Sequence, residues 1–152
     1  MFLLGFVFAN FIEWAVHKYL FHGWGKKKGS IFAFHLREHH KNCLRNNNKD
    51  GKYTFREFLG IVFLLFLTFP LFFISAPFYY GLALYGALFL IVHNFVHKQV
   101  KWGRILFPWH WEHHMKFPHH NMNVVIPIAD YIFDATVYAS GDIAQLATEN
   151  LN

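Results

Sequence analysis

Residues 58–97, FLGIVFLLFLTFPLFFISAPFYYGLALYGALFLIVHNFVH, contain no Lys, Arg, Asp or Glu. Two apolar runs, 58–74 and 77–97, meet at a turn around Ser75-Ala76-Pro77, and each is long enough to cross most of a bilayer as a helix. Pro70 is expected to kink the first run, which a helical bundle tolerates. The stretch therefore predicts a membrane-spanning helical hairpin.

A third apolar run, MFLLGFVFANFIEWAVHKYLF at 1–21, predicts one more span. It lacks the basic start and the small-residue cleavage site of a secretion signal, and it carries Glu13, His17 and Lys18 in its second half. The expected fold class is all-α, an integral membrane helical bundle with about three transmembrane helices. Residues 1–152 are expected to form a single membrane-embedded domain.

The positive charges fall on one side of this predicted topology. All 14 Lys and Arg lie at position 18, between 26 and 56, or from 98 onward, and the formal net charge is +5. Positive residues favour the cytoplasmic face, so we expect an integral protein of the endoplasmic reticulum or bacterial inner membrane. Residues 98–133 are expected to form interfacial helices on the cytosolic side, followed by a short polar tail after Thr136. Because the basic residues flank apolar runs, a nucleic-acid partner is not expected.

The 12 histidines lie on this same side or at the membrane boundary. Residues three or four apart on an α-helix share a face. Three sets are therefore each expected to aim their imidazoles at one point: His35/His39, His93/His97 and His110/His113/His114. His17 and His22 are five residues apart and would need a frayed or bent helix end to converge. Ten of the histidines fall into four groups: His17 and His22; His35, His39 and His40; His93 and His97; and His110, His113 and His114.

Ten imidazoles from four segments suit two metal ions. Placing so many imidazoles at a membrane boundary also costs free energy unless something uses them. We therefore predict that these ten histidines are the metal ligands of a cytosolic-side dimetal site, with pH sensing and haem ligation as alternatives. Their spacing does not distinguish iron, zinc and copper, and no catalytic residue beyond the ligands is predicted.

Five further residues are candidates to orient the ligands: Glu13, His119, His120, Asn121 and Asp130. Glu13 lies one helical turn before His17 and is expected either to accept a hydrogen bond from its imidazole or to snorkel or contact another helix. Asp130 is expected to hold the closing turn or to accept from a ligand histidine. Glu112, between ligands, is expected to face outward.

Residues 46–57, NNNKDGKYTFRE, match the spacing of an EF-hand loop at Asn46, Asn48, Asp50, Gly51, Thr54 and Glu57. The first position is not Asp, and no paired hand is present. A polar turn before a membrane span is therefore the preferred interpretation over calcium binding.

Four histidine segments, EWAVHKYLFH, HLREHH, HNFVH and HWEHH, resemble the four boxes of the fatty acid hydroxylase/sterol desaturase superfamily of membrane non-haem di-iron enzymes. The resemblance runs from about residue 13 to 136. NMNVVIPIADYIFDAT resembles the family's closing segment: positions 121, 124, 127, 130 and 133 match, and positions 122, 123, 134 and 135 depart from it.

The resemblance implies a lipid-biosynthesis oxidoreductase that hydroxylates a fatty acyl or sphingolipid acyl chain with O2 and two iron ions, which zinc can replace in isolated or recombinant protein. Without a fused cytochrome b5 domain, electrons would come from a separate donor such as cytochrome b5 or ferredoxin with its reductase. HKYLFHGWG also resembles carotenoid hydroxylases. The alternatives are a carotenoid or sterol hydroxylase or desaturase, and a non-catalytic membrane protein that binds metal or haem.

Overall fold

The computed structural model of the protein describes residues 1–50 and 55–133. Within these ranges the chain forms helices and turns without a strand, so the prediction of an all-α fold is confirmed there. The tail expected after Thr136 lies outside the described residues.

Two of the helical segments are π-helices, in which the hydrogen bonds run from residue i to i+5. In chain order the elements are α1 (Phe2–Ala15), the first π-helix (Val16–Gly23), a 3-10 turn (Trp24–Lys26), the second π-helix (His35–His40), α2 (Lys41–Arg45), α3 (Phe55–Thr68), α4 (Pro70–Ile74), α5 (Ala76–Lys98), α6 (Val100–Leu106), α7 (Pro108–Met115) and α8 (Ile128–Phe133).

The expected kink at Pro70 is a break between two helices. α3 ends at Thr68, whose hydroxyl donates to the Leu64 carbonyl at 2.8 Å, and α4 begins at Pro70, which has no N–H to continue the helix. In the described part of the chain, one helix, the 23-residue α5, is long and apolar enough to cross a membrane. α3 with α4, and α1 with the first π-helix, approach that length only across their interruptions.

The backbones of α1 and α5 touch where both helices carry glycine. A Cβ on Gly5 would lie 2.0 Å from the Phe78 carbonyl oxygen, and one on Gly81 would lie 2.2 Å from that of Phe2. Small residues permit this close approach of two helices. The contact aligns α1 and α5 side by side, so that histidines near the C-terminal ends of both elements lie at one end of the molecule.

Hydrogen bonds from the Asn10 side chain hold residues 121–130 against α1, and we call these residues the closing segment of the structure. The Asn10 side-chain amide donates to the Tyr85 hydroxyl at 2.7 Å and to the Ile126 carbonyl at 2.6 Å. Its side-chain oxygen accepts from the Ala129 backbone N–H at 3.0 Å. Asn10 is fully buried, and these partners satisfy its polar groups in the interior. The end of the described chain is thereby held against the first helix.

Candidate metal centre

The ten predicted ligands are all buried and converge at one end of the bundle. Five of them offer ring nitrogens that lie within 4.8 Å of one another, and we call these cluster A: His17, His22, His35, His40 and His113. Four more satisfy the same condition, and we call these cluster B: His39, His93, His97 and His114. His110 adjoins cluster B, with its Nε2 3.1 Å from Nε2 of His97 and 3.2 Å from Nε2 of His114.

The π-helices explain how residues five apart join one cluster. His17 and His22 lie on the first π-helix, and His35 and His40 lie on the second. The wider turn of a π-helix brings residues i and i+5 toward the same face. The frayed or bent end expected for the first pair is therefore wrong.

Consecutive histidines go to different clusters. His40 belongs to cluster A and His39 to cluster B, and the same division separates His113 from His114. The expectation that His110, His113 and His114 aim at one point is therefore wrong. His35 and His39 are in different clusters, yet their ligand atoms also lie within 4.8 Å of each other. The rings of His40 and His114 lie 4.2 Å apart between centroids, so the two clusters are directly adjacent.

Backbone carbonyls orient two imidazoles of cluster A. Nδ1 of His113 donates to the His120 carbonyl at 2.7 Å, and Nδ1 of His17 donates to the Met122 carbonyl. Asn121, between the two carbonyls, has a φ of 57°, a left-handed conformation that Asn adopts more readily than most residues. This single turn thus fixes the tautomer of both imidazoles and leaves their Nε2 lone pairs facing the cluster.

Carboxylates orient two imidazoles of cluster B. Nδ1 of His39 lies 2.8 Å from a carboxylate oxygen of Asp50, and Nδ1 of His93 lies 3.1 Å from one of Glu57. Nδ1 of His97 donates to the Asn48 carbonyl at 2.9 Å. The sequence of this region predicted a polar turn, and these contacts were not predicted. The sequence signal for these contacts was the presence of two carboxylates, Asp50 and Glu57, shortly before the uncharged apolar run that begins at Phe58. Of the other EF-hand positions, Gly51 and Thr54 lie outside the described residues.

The donor set fits a bound cation. Nδ1 of both His93 and His97 has an acceptor, yet their Nε2 atoms face each other at 3.2 Å. Two lone pairs at this distance repel unless a positive charge lies between them. Imidazoles sharing one ion place their nitrogens about 3 Å apart, since metal–nitrogen bonds are about 2.0–2.1 Å. Ligation by the individual histidines stays a prediction.

Burial keeps the imidazoles in the form that binds metal. In cluster A, burial lowers the pKa of His35, His40 and His113 well below the usual value, and neighbouring imidazoles act in the same direction. The same cause lowers the pKa of His110 and His114. A neutral imidazole has a free lone pair, so these side chains are ready to coordinate without losing a proton.

Of the roles expected for Glu13, the structure shows the contact between helices, since its partner Tyr85 lies on α5. The Glu13 carboxylate accepts from the Tyr85 hydroxyl, from the Asn123 side-chain amide at 3.2 Å and from the Val124 backbone N–H at 2.6 Å. Glu13 therefore binds the closing segment, and the acceptor for His17 is provided by that segment.

Asp130 holds the closing turn. Its carboxylate accepts from the backbone N–H groups of Met122 and Asn123, each at 2.8 Å. Because the Met122 carbonyl accepts from His17, Asp130 acts on cluster A through the backbone. This is the first of the two roles expected for it.

The remaining candidates are divided. His119 is exposed and belongs to neither cluster. His120 is half-buried and contributes its backbone carbonyl to His113. Glu112 is buried, with 3% of its surface exposed, so the expectation that it faces outward is wrong.

A cavity of about 830 Å³ leads to the histidines. Its walls come mainly from residues 28–38, α3 and α5, with further residues from α1 and the first π-helix, and most of the lining is apolar. His17, His35 and His93 form part of its wall, so the cavity touches both clusters. The site can therefore hold an apolar molecule beside the metal-binding nitrogens and shield it from bulk water.

An all-helical fold with two adjacent imidazole clusters that could hold metal ions, beside an apolar cavity, has the features of a histidine-rich helical metal-binding protein. Within that class, the family model "Fatty acid hydroxylase" matches residues 2–135, and the chain belongs to this family of hydroxylase and desaturase oxidoreductases. The resemblance identified from the four histidine segments is thus confirmed. Comparisons with curated proteins and with solved structures found no match.

Proposed function

We propose that the protein is a membrane-bound non-haem di-iron mono-oxygenase that hydroxylates the acyl chain of a lipid, using O2 and electrons from a separate donor. The observation that carries this proposal is the opening of an apolar cavity onto two adjacent imidazole clusters. The ten histidines would hold the two ions, which would supply the O2 chemistry that no side chain can provide.

The protein's own residues would place the substrate and exclude water. α1, α3 and α5 line the cavity on one side of the clusters with Ala9, Leu64, Leu82 and Phe89. A chain lying along these helices would pass the histidines at the end nearest Glu57 and His93.

The proposed membrane placement uses three spans: α1 with the first π-helix, α3 with α4, and α5. The clusters would then lie at the cytosolic end, where the Lys and Arg residues are concentrated. This orientation would expose the end of the molecule that contains clusters A and B to a soluble electron donor such as ferredoxin, or to the soluble face of cytochrome b5.

The test is lipid analysis of a host that expresses the protein under ¹⁸O2. We expect one ¹⁸O atom in a hydroxylated acyl chain with the native sequence, none with His113→Ala, and unchanged labelling with His119→Ala, whose side chain is exposed. Labelled carotenoids or sterols without labelled acyl chains would contradict the acyl substrate. Bound metal without any label would indicate a non-catalytic metal-binding protein.

A further inference from the structure

The exposed charged residues of the cavity wall are concentrated at one end, whereas Glu13, further along the wall, is half-buried and bound to Tyr85, Asn123 and Val124. Lys28, Arg37 and Arg56 lie at the exposed end with Glu38, and all four side chains are exposed. We call this end the rim. The buried carboxylate of Glu57 also lines the cavity here and lies 3.1 Å from Nδ1 of His93. Three basic groups against two carboxylates leave the rim with a positive charge. No metal ligand contributes to the rim.

Only part of the rim charge is neutralised by the protein. A guanidinium nitrogen of Arg56 lies 3.2 Å from a carboxylate oxygen of Glu38. Among the described residues, neither Lys28 nor Arg37 pairs with a carboxylate; the Arg37 guanidinium donates to the Lys26 carbonyl at 3.4 Å. Two basic side chains at the rim therefore remain available to an external anion.

The opposite end of the cavity is uncharged. Ala9, Leu65, Thr68 and Leu82 line it. Along α3 the lining extends from Arg56 to Thr68, a distance of about 18 Å at the rise of an α-helix. The cavity thus combines a positive end and a long apolar end, which is complementary to an amphiphile with a negative head and a hydrocarbon tail.

We propose that the rim is a head-group site that selects lipids with an anionic head, either a phosphate or a carboxylate, and sets the position of the acyl chain. The head would contact Lys28 and Arg37, and the tail would extend past the histidines toward Thr68. This deepens the proposed function by naming a substrate class and rests on it for the reaction. The binding preference itself requires neither metal nor turnover.

Head-group selection is tested by capturing the protein with its bound lipids. The full chain is extracted into polymer-bounded membrane discs, exchanged into detergent, and its retained lipids are compared with those of the host membrane. The rim variant is Lys28→Glu with Arg37→Glu, which leaves the Arg56–Glu38 ion pair intact. The matched control is Arg45→Glu with Lys101→Glu, two exposed basic residues outside the cavity wall. Helix content by circular dichroism and metal content verify that all three proteins fold alike.

We expect anionic lipids to be enriched about threefold to tenfold over zwitterionic ones in the native protein and the control, because a few exposed ion pairs contribute about that much. The rim variant should lose the enrichment. An equal loss in the control would show general attraction of a basic protein to an anionic membrane and would overturn the proposal. A native protein without enrichment would overturn it as well.

The source of the anion is resolved in discs of defined composition. Phosphatidylglycerol, a free fatty acid or phosphatidylcholine is offered, with inorganic phosphate as competitor. Rim-dependent retention of either anionic lipid supports the proposal, whereas binding of inorganic phosphate with no dependence on the acyl chain overturns it. Rim-dependent retention without oxygen insertion would refute the proposed reaction alone. Equal oxidation of anionic and zwitterionic lipids would refute the head-group site alone.

Discussion

Clusters A and B contain chemically identical ligands but are built by different local structures. Cluster A takes residues five apart from two π-helices, the pairs His17/His22 and His35/His40. Cluster B takes its pair His93/His97 from α5, where residues four apart share a face. π-helical turns are rare and occur frequently at functional sites. The protein thus assembles two adjacent clusters from two kinds of helix, one that aligns residues five apart and one that aligns residues four apart.

The hydrogen-bond acceptors outside the clusters differ as well. In cluster A they are backbone carbonyls of the closing turn, and in cluster B two of them are carboxylates, Asp50 and Glu57. A carboxylate places negative charge behind an imidazole and strengthens its attraction for a cation. We infer that cluster B depends on side-chain charge, whereas cluster A depends on the geometry of a turn.

Removing one ligand from each cluster has the largest expected effect. His40→Ala should lower the metal content of cluster A, and His97→Ala that of cluster B, each by about one ion per chain, and each should abolish hydroxylation. Metal per chain by mass spectrometry and ¹⁸O2 labelling measure the two effects. If both variants keep two ions, the assignment of one ion to cluster A and one to cluster B is refuted.

Neutralising the carboxylates should affect cluster B selectively. Glu57→Gln or Asp50→Asn keeps the shape of the side chain but removes its charge, and loss of such a partner typically costs about 10- to 100-fold in metal affinity. Chelator competition on the purified protein measures this affinity. The control is Glu38→Gln, an exposed carboxylate in neither cluster; an equal loss in the control would refute the selective role.

Asp130→Asn tests the turn behind cluster A. The substitution weakens two hydrogen bonds to buried backbone N–H groups, and bonds to a charged acceptor contribute about 1.5–3 kcal/mol each. We expect a lower unfolding temperature and weaker metal retention in cluster A, with cluster B retained. A variant that unfolds at a lower temperature yet keeps both ions would show that the turn stabilises the fold without positioning His17.

His119→Ala should have the smallest effect. The side chain is exposed and outside both clusters, and substitutions at such positions usually change stability by less than about 0.5 kcal/mol. Unfolding temperature, metal content and labelling should all match the native protein. A loss of metal from this variant would place a ligand outside the two clusters.

Local sequence patterns predicted the helices, and they predicted which histidines lie together but not how these divide between clusters A and B. The absence of charge from 58 to 97 predicted α3, α4 and α5, and Pro70 marked the break between the first two. The ten histidines were identified as one constellation. Their division between two clusters was not predicted, because adjacent histidines enter different clusters and α-helical geometry was assumed for the π-helical segments.

The contacts behind the histidines were missed for a different reason. Asp50 and Glu57 lie 11 and 36 residues from the imidazoles that they orient, and Asn10 binds a segment more than 110 residues away. For Glu13 a contact with another helix was one of the expected roles, but its partners in α5 and the closing segment were not predicted. Neither propensity nor periodicity encodes such long-range pairs.

The sequence by itself determined the all-helical class, the family, and the concentration of imidazoles and positive charges at one end of the apolar segments. The helical class and the distribution of imidazoles and charges follow from composition and local spacing, and the family follows from the resemblance of the four histidine segments. The tertiary structure alone decided which histidines share a cage, which groups fix their tautomers and where the cavity meets them. These depend on distances between segments far apart in the chain, which are set by packing such as the Gly5–Gly81 contact of α1 and α5.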